Sequence, residues 1–121
     1  MENENEIVTP NDVILELSRL RRESERGIDI LSKAEEKLVH SELHAEKIEA
    51  MTLLSSTGTV QERSAHAKLE SADARLEAML AKVEVNRVKT KMKHLTESMM
   101  AVMHAGKMVE IQWKTAGVGE R

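Results

Sequence analysis

The chain has 121 residues, with no cysteine, phenylalanine or tyrosine, one tryptophan, one proline and five glycines. Without Cys there is no disulfide framework, no thiolate metal site and no cysteine nucleophile, a composition that fits a reducing compartment. Strands draw on β-branched and aromatic residues bounded by Gly and Pro, so β-structure is not expected. No apolar run approaches the ~18–20 residues that a bilayer span needs. The opening Met1-Glu2-Asn3-Glu4-Asn5-Glu6 is acidic and polar, the opposite of a secretory leader. These absences lead to the expectation of a soluble, cytoplasmic, single-domain protein without membrane contact.

What is abundant is Ala, Leu, Met, Glu and Lys, the helix formers, in a chain that is 32% charged. Val13, Leu17, Leu20, Ser24, Gly27, Leu31, Ala34, Leu38, Ser41, Ala45, Ile48 and Thr52 follow one another in steps of three and four. That is a coiled-coil seam, and its many small residues require a partner backbone to come close. Thr9-Pro10-Asn11-Asp12 starts this helix, with Thr9 as N-cap, Pro10 at the first helical position and Asp12 near the positive end of the dipole. Ser55-Ser56-Thr57-Gly58 stops it, with Gly58 suited to a left-handed turn. Thr59-Val60-Gln61-Glu62 restarts a helix as a capping box.

The expected fold is therefore all-α: a long antiparallel two-helix hairpin, coiled-coil-like, assembling into a homo-oligomer. Residues 1–8 form a disordered acidic N-terminus, helices of about 9–54 and 59–114 make one domain over 9–114, and 115–121 are a flexible tail. Two helices of ~45 and ~55 residues bury only one stripe each, too little to offset the ordering of the chain comfortably. Apolar residues off the seam (Ile14, Ile28, Ile30, Val39 and Leu43 on the first helix; Val85, Met100, Met103 and Met108 on the second) point to further contacts. The second helix reads as two registers. Ala65, Leu69, Ala72, Leu76, Met79 and Val83 form one; Val88, Met92, Leu95, Met99, Val102, Gly106, Val109 and Trp113 form another, offset near Asn86-Arg87. The Met-rich distal part, with Met92, Met99, Met103 and Val109, is the expected interface between protomers. Filling of the hairpin's own core is the competing reading.

Charge is segregated. Residues 1–50 carry 7 basic and 13 acidic side chains, and residues 51–121 carry 11 and 8. The densest cationic segment, Lys82 to His94, contributes Lys82, Arg87, Lys89, Lys91 and Lys93 against one Glu. These five are the candidate nucleic-acid-binding residues, acting on backbone phosphates. The competing reading is a solvated coiled-coil face whose cations pair with carboxylates. No aromatic platform accompanies them, so base stacking is not expected. A weaker cluster is Arg19, Arg21, Arg22 and Arg26. At alternating spacing, Arg87, Lys89, Lys91 and Lys93 spread around the helix rather than lining one face. His40 and His44 share a helical face at i, i+4, but Glu does not follow the first His as the metalloprotease motif demands, and exposed or interface histidines are expected. No phosphate loop, nucleophile elbow or carboxylate pair is present, so neither enzymatic activity nor a cofactor or metal is expected.

Taken together, residues 25–112 resemble the small helical recombination mediators of bacteriophages, the UvsY type. The resemblance rests on Ile30-Leu31-Ser32-Lys33-Ala34 leading to Glu46-Lys47-Ile48-Glu49-Ala50, then a short break. Ser71-Ala72-Asp73-Ala74-Arg75 and a long amphipathic run ending at Glu110-Ile111-Gln112 follow. The chain is also similar to small phage early-region proteins found beside recombinases. The resemblance implies a ring-like oligomer that binds single-stranded DNA and helps to load a RecA-like recombinase onto strands covered by a single-strand-binding protein. The chain departs from that pattern in having Trp113 as its sole aromatic. Where those proteins carry a short basic stretch before the mid-chain break, it has Glu46, Lys47 and Glu49, mixed in sign. On charge grounds DNA binding is therefore placed at Lys82–His94. Two other classes stand as alternatives: a protein-only adaptor or inhibitor, such as a phage antidefence factor, and a structural coiled-coil assembly protein.

Overall fold

A computed structural model describes residues 7–119 and is all-helical among them: α1 Pro10–Ser55, α2 Val60–Glu70 and α3 Ala72–Gly119, with no strand. Residues 7 and 8 are non-helical, and the rest of the acidic lead-in expected to be disordered lies outside the described residues. The tail expected from Thr115 onward is instead helical as far as Gly119.

Both caps form where the local residues place them. Thr9 Oγ1 accepts the Asp12 N–H at 3.2 Å, while the Asp12 carboxylate accepts the Thr9 N–H at 2.9 Å and the Val8 N–H at 3.1 Å. This is a reciprocal box in which Asp takes the place of the usual Glu. At α2, Thr59 Oγ1 accepts the Glu62 N–H at 3.1 Å, and its hydroxyl donates to the Glu62 carboxylate at 3.0 Å. Gly58 has φ +109°, which an L side chain rarely tolerates, and so makes the turn. The last carbonyls of α1 need partners, and Arg63 of α2 supplies one by donating to the Leu53 carbonyl at 3.0 Å.

The described residues form two compact units. One holds α1 up to Ile28 with α3 from Thr90 onward; the other is Asp29–Lys89. In each, one long helical segment packs on another. All twelve seam positions expected on α1 are buried or half-buried. In the first unit, Val13 meets Gly106 and Gly27 meets Met92, so a step of 14 residues forward on α1 matches 14 backward on α3. The two segments therefore run in opposite directions, in heptad register. A Cβ on Gly106 would stand 3.0 Å from Val13 Cγ1, and one on Gly27 would collide with Met92 Sδ. Both glycines are needed for close approach.

The register slip expected near Asn86-Arg87 does not occur. The inward positions run without a break through Ala67, Ser71, Ala74, Ala78, Ala81, Val85 and Val88 in the second unit. They continue through Met92, Leu95, Met99, Val102, Gly106 and Val109 in the first. Ala65, Leu69, Ala72, Leu76, Met79 and Val83, expected to form the proximal seam, are all exposed, as is Trp113. Val85, expected off the seam, is buried in it. Large apolar side chains misled the reading; the inner row is built from alanines, which bring the helix axes together.

The single second helix is also divided, at the fully buried Ser71. Backbone bonds continue on either side, from Ser71 N–H to the Ala67 carbonyl and from Arg75 N–H to the Ser71 carbonyl. The Lys68 carbonyl is taken by side chains: the Ser71 hydroxyl at 3.3 Å and Arg75 Nη2 at 2.7 Å. A serine hydroxyl competing for a carbonyl within the helix bends it locally.

Two expected outcomes follow from this packing. Gly27→Leu should lower stability by about 1–3 kcal/mol through overpacking, and adding Met92→Ala should recover part of that loss in thermal unfolding, as contacting residues couple. The second concerns pH. The Thr9 and Val8 N–H groups hold the Asp12 carboxyl below its ordinary value, and the Arg19 guanidinium does the same for Glu16. Folded values below unfolded ones give a stabilisation that is complete above the unfolded carboxylate pKa of about 4 and is lost as pH falls through the folded values. Amide protection factors over residues 10–16, taken relative to the intrinsic exchange rate at each pH, should fall below about pH 4, and Asp12→Asn with Glu16→Gln should abolish that dependence.

Candidate assembly and nucleic-acid surfaces

All five candidate phosphate-binding residues lie on α3 and are exposed. Lys82, Arg87 and Lys89 belong to the second unit, Lys91 and Lys93 to the first. Arg87 pairs with Glu84 at 3.6 Å. Among the described residues, Lys82, Lys89, Lys91 and Lys93 make no ion pair within 4 Å. Lys82 and Lys89, seven apart, fall on one side of the helix, while Arg87 lies well round from them. The weaker arginine cluster is largely self-satisfied: Arg19 bridges Glu16 at 2.7 Å and Glu23 at 3.2 Å, and Arg21 pairs with Glu25 at 3.4 Å.

The second unit has a charge layout that only the true register reveals. Beside the seam on α1, Glu35, Glu42 and Glu49 recur every seven residues. Beside it on α2 and α3, Lys68, Arg75 and Lys82 do the same. An antiparallel alignment like that of the first unit would set Glu35, Glu42 and Glu49 opposite Lys82, Arg75 and Lys68. On the other flank, Lys37 of α1 shares a groove with Glu77 and Glu84 of α3, floored by Ala34, Ser41 and Ala81. Opposite charges thus border both edges of the seam.

The residues expected between protomers do not share one surface. Met92 packs on Gly27, Met99 is half-buried, and Val109 is buried in the same inner row. These three face inward within the chain, as the competing reading of a hairpin core has it. Met103 alone of the four is exposed, beside Met100, Met108 and Ile111. A larger outward set went unrecognised: Leu69, Leu76, Met79, Leu80 and Val83 in the second unit. The periodicity of that row was visible in the sequence, but nothing there marked it as outward, because its side chains are larger than those that face in.

His40 and His44 are exposed, and His66 lines a small cavity with Ser55, Ser56 and Thr57. Among the described residues, no group of three or more His, Cys, Asp or Glu is placed to hold a metal. No helix among them is long and apolar enough to cross a membrane. Comparison with protein-family models, curated proteins and solved structures finds no match to the chain.

A charge swap tests the register. Glu35→Lys or Lys82→Glu alone should cost about 0.3–0.5 kcal/mol, the scale of exposed pairs. The double variant should return to the parent's melting temperature, and it would fail to do so if the two residues did not face each other.

Proposed function

We propose that the chain is a non-enzymatic recombination accessory protein of the phage mediator type. In this reading it is an antiparallel helical hairpin that self-assembles, binds single-stranded DNA, and engages a recombinase or single-strand-binding protein. The observation that carries the DNA component is the set of exposed lysines on α3, Lys89, Lys91 and Lys93, which make no ion pair among the described residues; Lys82 belongs to the basic border of the seam. An acidic chain, net −3, that leaves such a group unneutralised has a local surface suited to a polyanion. Arg87, held by Glu84, contributes less. Each protomer offers only a few phosphate contacts, so useful affinity depends on several copies acting on one strand.

Self-assembly is supported by the exposed surface. Large hydrophobic side chains stand more than half exposed along the helices, among them Ile14, Leu54, Leu69, Met79 and Met100. The same observation favours a second reading, a protein-only adaptor whose apolar helix faces capture a partner protein.

The test is fluorescence anisotropy with a strand of ~30 nucleotides at two salt concentrations. The mediator reading expects binding that weakens steeply as salt rises. Lys89→Glu with Lys93→Glu should reduce affinity and flatten the salt slope without changing oligomer mass. Absence of binding by the parent protein at low salt would leave the adaptor reading in its place.

A further inference from the structure

The second unit carries two apolar rows where a lone pair of helices should be polar. In the heptad frame of the inner seam, Leu69, Leu76 and Val83 recur every seven residues on the side on the order of 180° from the seam, with Met79 and Leu80 beside them. Leu69 is 73% exposed and Met79 65%. On α1 the outward side of the same unit carries Val39, Leu43, Ala50 and Leu54, flanked by Met51; Leu54 is 81% exposed. The two rows have nearly equal length, 39–54 against 69–83. A helix pair outside an assembly places polar residues at these positions.

We infer that these rows bind each other between copies, the α2–α3 row of one protomer docking on the α1 row of the next. This rests on the self-assembly reading above and names its surface. Three observations select this occupant. The Ala65, Leu69, Ala72, Leu76, Met79, Val83 row itself follows steps of three and four, so its partner is a helix. The chain holds a matching helix face of the same span.

Charge supplies the third observation. The α2–α3 row is bordered on one edge by Lys68, Arg75 and Lys82, and on the other by Glu70, Asp73, Glu77 and Glu84. The α1 row is bordered on one edge by Glu35, Glu42, Glu46 and Glu49, and on the other by Lys33, His40 and Lys47. Laid antiparallel, the two rows bring opposite charges together on both edges. Pairing two α2–α3 rows would leave each α1 row uncovered, whereas α1 against α2–α3 covers both rows of every interior copy. Such a contact is heterologous: each protomer uses one face to give and another to receive.

The test uses Leu43→Glu and Leu76→Glu, each at a position more than half exposed within the chain, so neither substitution alters the inner seam. Each should sediment at the protomer mass of 13.6 kDa. Mixed one to one, they should form a species of twice that mass, because each supplies the face that the other lacks. An oligomeric parent whose mass neither substitution changes would overturn the assigned surface while leaving self-assembly standing. Disruption by Leu76→Glu alone, with Leu43→Glu unaffected, would replace it with a symmetric pairing of α2–α3 rows. A monomeric parent would remove both this contact and the self-assembly reading. Variants that unfold separately and recover no helicity on mixing would also overturn it.

Discussion

Everything in this molecule depends on how closely two helical backbones approach along a seam of small residues. Ala67, Ser71, Ala74, Ala78 and Ala81 supply almost no bulk on the α2–α3 side of the second unit. In the first unit Gly27 and Gly106 each receive a side chain from the opposite helix. Alanine burial removes little apolar area from water, well short of the ~1.5–3 kcal/mol that a buried Leu or Val contributes. A seam of this kind specifies alignment more than it stabilises. The charge rows at its borders add opposite charges along both edges of that seam.

The same economy explains the outer surface. A chain that spends alanines inside has its leucines, valines and methionines left to place, and here they stand outward in rows rather than scattered singly. Scattered apolar residues are ordinary on a protein surface, whereas contiguous rows mark contact with another chain. In the proposed assembly, stabilisation beyond the thin inner seam comes from covering them. Folding and association would then be coupled, and cationic residues repeated on successive copies would form a surface that one chain alone does not possess.

Much of the fold was legible because the signals were local and chemically specific. Thr9 and Asp12 fixed one helix start, Thr59 and Glu62 another, and Gly58 the turn between them, each through bonds that reach only a few residues. The α1 seam was legible too, since Val13, Leu17, Leu20, Leu31 and Leu38 lie in one unbroken succession of steps of three and four, whereas the apolar residues off it, such as Ile14, Ile28, Ile30, Val39 and Leu43, do not. The α2–α3 seam was not, because two heptad rows share the segment and hydrophobicity ranks the wrong one first. Leu69 and Leu76 outweigh Ala67 and Ala74 in any reading by hydrophobicity, and only the requirement for close backbone approach reverses the order. A slip near Asn86 is the result of ranking the rows that way, whereas the inward row is continuous there. The break at Ser71 escaped notice because serine in a helix is unremarkable until it is buried beside an arginine that can take a carbonyl. The five cationic residues were found by density alone, yet which of them are free of carboxylates depends on helix geometry.

The central claim is that the inner seam is insufficient by itself and that the outward apolar rows are covered by other copies of the chain. Sedimentation equilibrium of the unmodified protein, from micromolar to nanomolar concentration and followed alongside far-ultraviolet helicity, addresses it most directly. The account expects a mass that is a multiple of 13.6 kDa at the higher concentrations, with helicity falling as dilution dissociates the assembly. A fully helical monomer throughout that range would contradict it.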